Sequence, residues 1–249
     1  MKPTKTIILA GGKGTRMHSE LPKVCHEICG KPLVSHVIAA NEAAGVSDIA
    51  VIVGYRAELV KAVLPESVRT YLQSEQLGTG HAVMQALPFI ENFDGNVLVL
   101  MGDAPMIRAE TLKGLIDARE AGNFGAVVLS ARFEEPTGYG RMVKDGDELI
   151  KIVEEKDASP EEKTIHEINS GMYCFDAKAL VSVLSKITPQ NAQGEYYLTD
   201  TIELLREAGL AVGTYPTDDP EDLAAVNNPE QLAECERLMK KRLDKQVSS

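Results

Sequence analysis

Residues 6–23 read TIILAGGKGTRMHSELPK, an apolar strand pattern that runs directly into a loop rich in glycine and in cations. The loop fits neither of two known phosphate-binding patterns. The P-loop pattern G-x-x-x-x-G-K-[ST] finds no register among Gly11, Gly12 and Gly14. The dinucleotide pattern G-x-G-x-x-G fits Gly12 and Gly14 but fails at Met17. The function of the loop therefore has to be inferred from its surroundings.

Apolar runs and helical patterns alternate beyond this stretch. The apolar, β-branched runs cover residues 6–10, 49–54, 97–101 and 126–131. Amphipathic helical patterns lie between them, at residues 33–45, 79–87 and 112–122. Continuous apolar strands separated by helices predict a parallel sheet with helices on both faces. We therefore expect an α/β fold with a Rossmann-like, mostly parallel sheet.

The pattern changes after Phe133. Residues 141–143 and 149–153 flank the turn sequence KDGD, which predicts a β-hairpin, and residues 168–175 predict another strand. Helical patterns return at residues 177–187, 198–208 and 230–243. Since no repeat or low-complexity linker interrupts the chain, we expect one domain with two lobes, the second smaller and mixed.

Composition narrows the possible functions. The chain has 249 residues, 44% of them hydrophobic and 25% charged, as in an ordinary globular protein. Its net charge of −11 argues against nonspecific nucleic-acid binding. It shows neither a signal peptide nor an apolar run long enough to cross a membrane, so we expect a cytoplasmic protein. The four cysteines have no zinc-ligand spacing, and we expect reduced thiols, mostly in the core.

The opening loop has the composition of a phosphate site. Glycines at the carboxyl edge of a parallel sheet let backbone N–H groups approach a ligand closely. Lys13, Arg16 and Lys23 add three cations within eleven residues of an otherwise acidic chain. Such a concentration of charge suits a triphosphate, although a solvated turn with ordinary surface lysines has the same composition.

Asp103 is the second notable position, because it follows the apolar run at residues 97–101 and a glycine. A carboxylate at the end of a buried strand is either the N-cap of the next helix or a metal ligand. Magnesium accepts one or two carboxylates and takes its other ligands from water and phosphates. Beside a triphosphate loop, the metal is favoured.

The sequence resembles a known family. The motifs that carry the resemblance are LAGGKGTRM (residues 9–17), LPK (21–23), QSEQLGTGHA (73–82), GDAP (102–105), PTGYGR (136–141), IVEEKDA (152–158), EINSGM (167–172), NAQGEYYLTD (191–200) and VNN (226–228). Together they are similar to the uridylyltransferase domain of the bacterial bifunctional N-acetylglucosamine-1-phosphate uridylyltransferase / glucosamine-1-phosphate acetyltransferase family. The resemblance covers nearly the whole chain.

The resemblance implies a fold and a domain plan. The fold is that of the nucleotide-diphospho-sugar transferases. Residues 1–227 would form the nucleotidyltransferase domain, with a nucleotide-binding part at about 1–110 and a sugar-binding part at about 111–227. Residues 228–249 would form a C-terminal helix and a polar tail.

The family resemblance also implies a set of site residues. The residues expected to hold the nucleotide are Leu9, Ala10, Gly11, Gly12, Gln73, Gly78 and Thr79. Of these, Gln73, Gly78 and Thr79 are expected to contact uracil. Those expected to contact the amino sugar are Gly140, Glu154 and Asn169. Arg16 and Lys23 would meet the phosphates, and Asp103 and Asn227 would bind Mg²⁺. His81 follows the GTG turn, and we interpret it as structural rather than as a base. Two positions depart from the family: Gly11 stands where many members have Ala, and Met101 where Tyr is common.

The reaction implied is transfer of a uridylyl group from UTP to N-acetylglucosamine 1-phosphate, which yields UDP-N-acetylglucosamine, a peptidoglycan precursor, and pyrophosphate. Since the attacking phosphate is already an anion, no serine, cysteine or histidine base is required. Two alternatives stay open: thymidylyl or guanylyl transfer to a hexose 1-phosphate, and a nucleotide-sugar binding module without turnover.

A last expectation concerns the second activity of the family. Its acetyltransferase part is a trimeric β-helix built from hexapeptide repeats, and this sequence has no six-residue periodicity. We therefore expect uridylyl transfer without acetyl transfer, and a monomer or weak dimer.

Overall fold

A computed structural model of the chain describes residues 2–247. The strands, in chain order, are β1 Thr4–Ala10, β2 Glu27–Ile28, β3 Lys31–Pro32, β4 Asp48–Val53, β5 Arg69–Leu72, β6 Asn96–Met101, β7 Ala126–Arg132, β8 Gly140–Asp145, β9 Glu148–Val153, β10 Glu167–Asp176 and β11 Val212–Pro216. The α-helices are α1 Leu33–Ala43, α2 Ala57–Ala62, α3 Thr79–Gln85, α4 Leu87–Ile90, α5 Ala109–Ala121, α6 Ala177–Leu184, α7 Asp200–Glu207 and α8 Pro229–Val247. Short 3₁₀ helices cover Thr15–Met17 and Lys23–Cys25.

Within residues 2–247, nine strands form one sheet with the main order β11-β7-β10-β6-β1-β4-β5. The neighbours β6, β1, β4 and β5 are parallel, as are β7 and β11. β10 runs antiparallel between β6 and β7, and the β8–β9 hairpin extends from it. The mostly parallel α/β fold expected from the sequence is confirmed, and the antiparallel pairs involve β10 and the β8–β9 hairpin.

Apolar side chains cover both faces of the sheet. One cluster packs α3, α6 and α7 on one face, and another packs α1 and α5 on the other. Strand interiors such as Ile7, Val51 and Leu98 are fully buried, because each strand has helices on both sides. Among residues 2–247, no helix combines the length and the apolar character needed to span a bilayer.

A third apolar cluster lies under α8 and touches the glycine-rich loop. Met17 and Val226 pack there against Cys235 and Met239 of the helix. Leu243, which the pattern places on the same apolar face, is 44% exposed. The helix also continues through Val247, so most of the predicted polar tail is helical, while Ser248 and Ser249 lie outside the described residues.

The cysteines in the described chain are free thiols. Cys25, Cys174 and Cys235 are buried and Cys29 is partly buried, which confirms the expectation of reduced thiols mostly in the core. Burial raises the pKa of Cys25 to about 11 and that of Cys174 to about 12, so these thiols stay protonated at neutral pH.

Asp200, at the start of α7, has an unfavourable environment for its charge. Its position in the first turn favours an anion, by about 0.3–1 kcal/mol. Burial, followed by the charges of Glu203 and Asp157, nevertheless raises its pKa to about 6. Because the folded-state pKa is raised, protonated Asp200 contributes stability at pH values below its unfolded pKa. That contribution is lost as the pH rises through about 6.

We therefore expect Asp200→Asn to stabilise the protein at pH 7.5. A partly exposed group recovers about 1 kcal/mol, which corresponds to a rise in Tm of about 2–4 °C in a chain of this size. The gain should shrink toward zero near pH 4. The measurement is thermal unfolding at both pH values. Asp94→Asn is the control, because Lys178 lowers the pKa of that carboxyl and its removal should give no gain. An equal gain at both pH values would rule out relief of charge as the cause.

Candidate active site

The glycine-rich loop follows β1 and packs closely on its neighbours. The N–H of Tyr55 donates to the carbonyl of Gly11 over 3.1 Å. A Cβ at Gly54 would lie 2.6 Å from that carbonyl oxygen, and a Cβ at Gly14 would lie 2.8 Å from the Cβ of Lys23. Both distances are too short for any side chain, so glycine at positions 54 and 14 lets the loop fold against the sheet edge.

A cleft of about 230 Å³, the first cleft, opens at the carboxyl ends of β1, β5 and β6. Its lining includes many of the predicted nucleotide and phosphate residues, namely Leu9, Ala10, Gly11, Gly12, Lys23, Gln73, Gly78, Thr79 and Asp103. It also includes Val24, Gln76, Ala82, Met101 and Glu195. In parallel α/β sheets this edge is the usual place for a ligand.

Cations and an amide from distant parts of the chain meet beside the first cleft, which Lys23 and Asp103 line and Arg16 and Asn227 do not. The ammonium of Lys23 pairs with the carboxylate of Asp103 and donates to Asn227 Oδ1 over 2.9 Å. The guanidinium of Arg16 donates to the same amide oxygen over 3.0 Å. The four residues predicted for phosphate and metal binding therefore form one cluster, although 211 positions separate Arg16 from Asn227.

Asp103 does not cap a helix. The next helix, α5, begins at Ala109 with Arg108 at its N-cap, so the N-cap interpretation of Asp103 is wrong. Its backbone carbonyl accepts from the N–H of Val226 over 2.9 Å, which holds the Asn227 segment beside it. Its Oδ2 pairs with Lys23, whereas its buried Oδ1 has no hydrogen-bond partner in the described chain. A buried carboxylate oxygen without a partner is a candidate ligand atom.

Gln73 extends β5 at the floor of the first cleft. Its N–H donates to the carbonyl of Val53 over 2.8 Å, and the residue is 4% exposed. Its side-chain amide contacts Gly78 and His81, which belong to the turn before α3 and to α3 itself. The strand and the helix therefore hold this amide from two sides.

A second cleft, of about 250 Å³, lies beside the first. Its lining includes all three residues predicted to contact the sugar, namely Gly140, Glu154 and Asn169, together with Thr79, Met101, Gly138, Tyr139, Ser170, Gly171, Tyr173, Leu198 and Thr199. Strands β8 and β10 supply five of these twelve residues, and Glu154 directly follows β9. The second cleft therefore belongs to the antiparallel part of the sheet.

A β-bulge in β10 shapes the second cleft. The register of β10 against β7 shifts between Asn169 and Tyr173, and Gly171 within the bulge has φ +78°. Asn169 Oδ1 accepts from the N–H of Gly171 over 2.9 Å, and its Nδ2 donates to the Tyr173 hydroxyl over 3.0 Å. The bulge thus fixes the orientation of the Asn169 amide.

The second cleft has one carboxyl group in its lining, that of Glu154. Burial raises the pKa of the Glu154 carboxyl, and the charges of Asp157, Asp200 and Glu195 raise it further. A carboxylate in this environment accepts hydrogen bonds well but repels an anion. The second cleft therefore suits a polyhydroxyl ligand, whereas Lys23 in the first cleft, with Arg16 beside it, suits phosphate.

The two clefts are continuous. Thr79 and Met101 line both of them. The backbone of Tyr196 links the walls, because its N–H donates to the carbonyl of Leu77 and its carbonyl accepts from the N–H of Gly80, each over 2.8 Å. A ligand that spans both clefts would therefore pass between Thr79 and Met101.

Several residues that line the clefts were not predicted from the sequence. Gln76, Glu195 and Thr199 line the clefts but were not assigned a role. All three lie inside motifs that carry the family resemblance, and their place in those motifs is the feature of the sequence that indicates a role in the site. Met101 was noted only as a departure from the family, yet it stands where the clefts join.

Comparison with solved structures supports the fold. A candidate glucose-1-phosphate thymidylyltransferase from Bacillus anthracis, crystallised with sucrose, superposes with a TM-score of 0.77 over 94% of both chains. Since only 21% of the residues are identical, this similarity concerns the fold alone.

Comparison with curated sequences finds closer relatives. The bifunctional protein GlmU of Alkaliphilus metalliredigens is 51% identical over 242 residues, which are 97% of this chain and 53% of that protein. The protein of the same name from Clostridioides difficile is 48% identical over 242 residues, 96% of this chain and 52% of that protein. The chain thus spans about half the length of the curated relatives it matches.

A family model described as nucleotidyl transferase matches residues 5–227. These residues include the glycine-rich loop, both clefts and Asn227, that is, every residue predicted for the site. The chain therefore belongs to the nucleotidyl transferase family.

Proposed function

We propose that this chain transfers a uridylyl group from UTP to N-acetylglucosamine 1-phosphate, with release of pyrophosphate. The observation that carries the proposal is the continuity of two clefts, one lined by Lys23 and Asp103 and the other by Glu154 and Asn169, which share Thr79 and Met101. A nucleotide and a sugar phosphate would lie end to end across this junction. The relatives named bifunctional protein GlmU, at 46–51% identity over nearly the whole chain, support this choice of substrates.

In the first cleft, Leu9, Ala10, Gly11 and Gly12 would approach the nucleotide through the backbone. Gln73, Gly78 and Thr79 are the proposed contacts of uracil, since an amide and neighbouring backbone groups match the edge of a base that has both donors and acceptors. A Cβ at Gly78 would lie 2.5 Å from the carbonyl oxygen of Tyr196, so glycine is required there. The turn therefore brings the backbone close to the base.

In the second cleft, Gly140, Glu154 and Asn169 are the proposed contacts of the amino sugar. Glu154 offers carboxylate oxygens to sugar hydroxyls. Asn169 uses one amide hydrogen and one lone pair within the bulge, which leaves a second hydrogen and a second lone pair for a ligand. The acidic surroundings would direct the phosphate of the sugar away from this cleft, toward Lys23 and Arg16.

The reaction would then depend on positioning. The attacking oxygen belongs to a phosphate that is already ionised, so no residue has to remove a proton. Holding two reactants in line contributes up to about 7–11 kcal/mol to lowering the barrier. Lys23 and Arg16 would offset the repulsion between the two polyanions and meet the charge that accumulates at the α-phosphorus.

Asp103 and Asn227 are the proposed ligands of Mg²⁺. Among residues 2–247, no group of three or more His, Cys, Asp or Glu side chains is arranged to hold a metal. One carboxylate and one amide oxygen still fit Mg²⁺, which takes its remaining ligands from phosphates and water. The unpartnered Oδ1 of Asp103 supports this assignment. When bound, the ion supplies positive charge and orients phosphate oxygens.

The first prediction from this proposal concerns the substrates. We expect UTP with N-acetylglucosamine 1-phosphate to give the highest kcat/KM in a pyrophosphate-release assay with UTP, dTTP, CTP and GTP and several sugar 1-phosphates. Equal or faster turnover of dTTP with glucose 1-phosphate would favour a thymidylyltransferase instead. No turnover with any pair would favour a nucleotide-sugar binding module.

The second prediction concerns Asp103. We expect Asp103→Asn to lower kcat at least about a hundredfold at millimolar Mg²⁺, because the site loses its only carboxylate. Asp94→Asn is a matched control, since Asp94 is exposed and pairs with Lys178 far from the clefts. Circular dichroism and Tm would establish that both variants fold. Near-normal kcat in the Asp103 variant would contradict the assignment.

A further inference from the structure

The side-chain amide of Gln73 is held by two neighbours at once. Its Nε2 lies 3.1 Å from the carbonyl oxygen of Gly78 and 3.1 Å from Nδ1 of His81. A carbonyl oxygen only accepts hydrogen bonds, so the nitrogen of the amide, and not its oxygen, must face Gly78. The same nitrogen therefore also faces the imidazole ring.

We propose that His81 is a positioning residue that fixes the Gln73 amide with its oxygen toward the base, so that the first cleft selects a pyrimidine carrying an N3–H. This inference rests on the proposed uridylyl transfer and extends it to a mechanism of base selection. It replaces a purely structural interpretation of His81 by a specific one.

The proposal requires His81 Nδ1 to accept a hydrogen bond. Both hydrogens of Gln73 Nε2 are then used, one by the Gly78 carbonyl and one by the ring. In a neutral imidazole only one nitrogen accepts, so Nε2 of His81 carries the hydrogen. A protonated Nδ1 would place two donors against each other and would force the Gln73 amide to turn over, with loss of its bond to Gly78.

A competing contact exists on the other side of the ring. Gln85 Nε2 lies 3.2 Å from His81 Nε2 and 3.0 Å from the His81 carbonyl. If Gln85 donated to the ring, Nδ1 would hold the hydrogen and oppose Gln73. Gln85 is partly exposed and can exchange its partners for water, whereas Gln73 is 4% exposed and cannot. The balance therefore favours Nδ1 as the acceptor from Gln73.

The ligand therefore meets a hydrogen-bond acceptor of Gln73 at a fixed position. With both amide hydrogens engaged, Gln73 offers Oε1, which lies 3.0 Å from the position of a Cβ built on Gly11 and so faces the glycine-rich loop. Uracil has a hydrogen on N3 and donates to such an oxygen. Cytosine has a lone pair on N3 and opposes it with a second acceptor. Thymine also carries the N3 hydrogen, so this contact does not exclude dTTP.

The ring of His81 is anchored independently of these bonds. It packs on Tyr196 with ring centroids 6.1 Å apart and planes at 37°. His81→Phe keeps an aromatic ring against Tyr196 but removes the acceptor. His81→Asn places a side-chain oxygen near the position of Nδ1 and restores the acceptor. These two variants separate packing from hydrogen bonding.

The experiment measures kcat/KM for UTP and CTP, with N-acetylglucosamine 1-phosphate, in wild type, His81→Phe, His81→Asn and the control Gln85→Ala. The wild-type preference for UTP should be at least about a hundredfold, because an unpaired buried polar group penalises the wrong base. In His81→Phe the preference should fall about tenfold, mainly through KM for UTP, with kcat little changed. His81→Asn should restore the preference to within about threefold, and Gln85→Ala should keep it.

Several results would overturn the inference: a wild type that uses CTP as well as UTP, a His81→Phe enzyme with unchanged preference, equal losses with both nucleotides, or no recovery in His81→Asn. Calorimetric dissociation constants for UTP and CTP repeat the comparison without turnover. If wild type binds UTP selectively but releases no pyrophosphate, the proposed reaction fails while the role of His81 is still tested. The comparison of UTP with CTP in the wild-type protein does not depend on whether a variant folds.

Discussion

The ion pair between Lys23 and Asp103 joins the glycine-rich loop to the end of β6, and the rest of the candidate site is arranged around it. Asp103 is 6% exposed, so its charge lies largely out of water. Removing one partner of a buried ion pair lowers the free energy of unfolding by about 3–5 kcal/mol. The pair therefore fixes the position of the loop. Lys23 also reaches Asn227, and through that amide oxygen the pair holds the segment before α8.

A second constraint links the base side of the site to the sugar side. The turn at Leu77–Gly80 exchanges backbone hydrogen bonds with Tyr196, and Thr79 Oγ1 accepts from the N–H of Leu198 over 3.0 Å. Gly78 permits this contact, since any side chain there would overlap the Tyr196 backbone. The segment between α6 and α7 therefore lines both clefts.

Charge is distributed unequally over a chain that is acidic overall. Its formal charge of −11 would repel a nucleotide, and Lys23 in the first cleft, with Arg16 beside it, offsets this repulsion locally. The second cleft is lined by the carboxyl group of Glu154, whose pKa is raised by burial. Lys23 in the first cleft and Glu154 in the second provide a polarity along which a sugar phosphate can be oriented. Neither the net charge nor the composition reveals this arrangement.

The sequence by itself determined the local elements. Apolar periodicity located β1, β4, β6, β7, the β8–β9 hairpin, β10 and the main helices, because period and turn chemistry depend on neighbouring residues. It missed β2, β3, β5, β11 and α2, which are short. The motifs also supplied the candidate residues, since the residue types suited to phosphate, base and sugar are recognisable in one dimension.

Only the tertiary structure decided which of these residues meet. The pairing of Arg16 with Asn227, the insertion of β10 between β6 and β7, and the hold of His81 on Gln73 depend on contacts between segments distant in sequence or on the orientation of a side chain. Such contacts are selected by the packing of the whole chain, and local patterns do not specify them. The sequence therefore determined the chemical groups, and the fold determined their geometry.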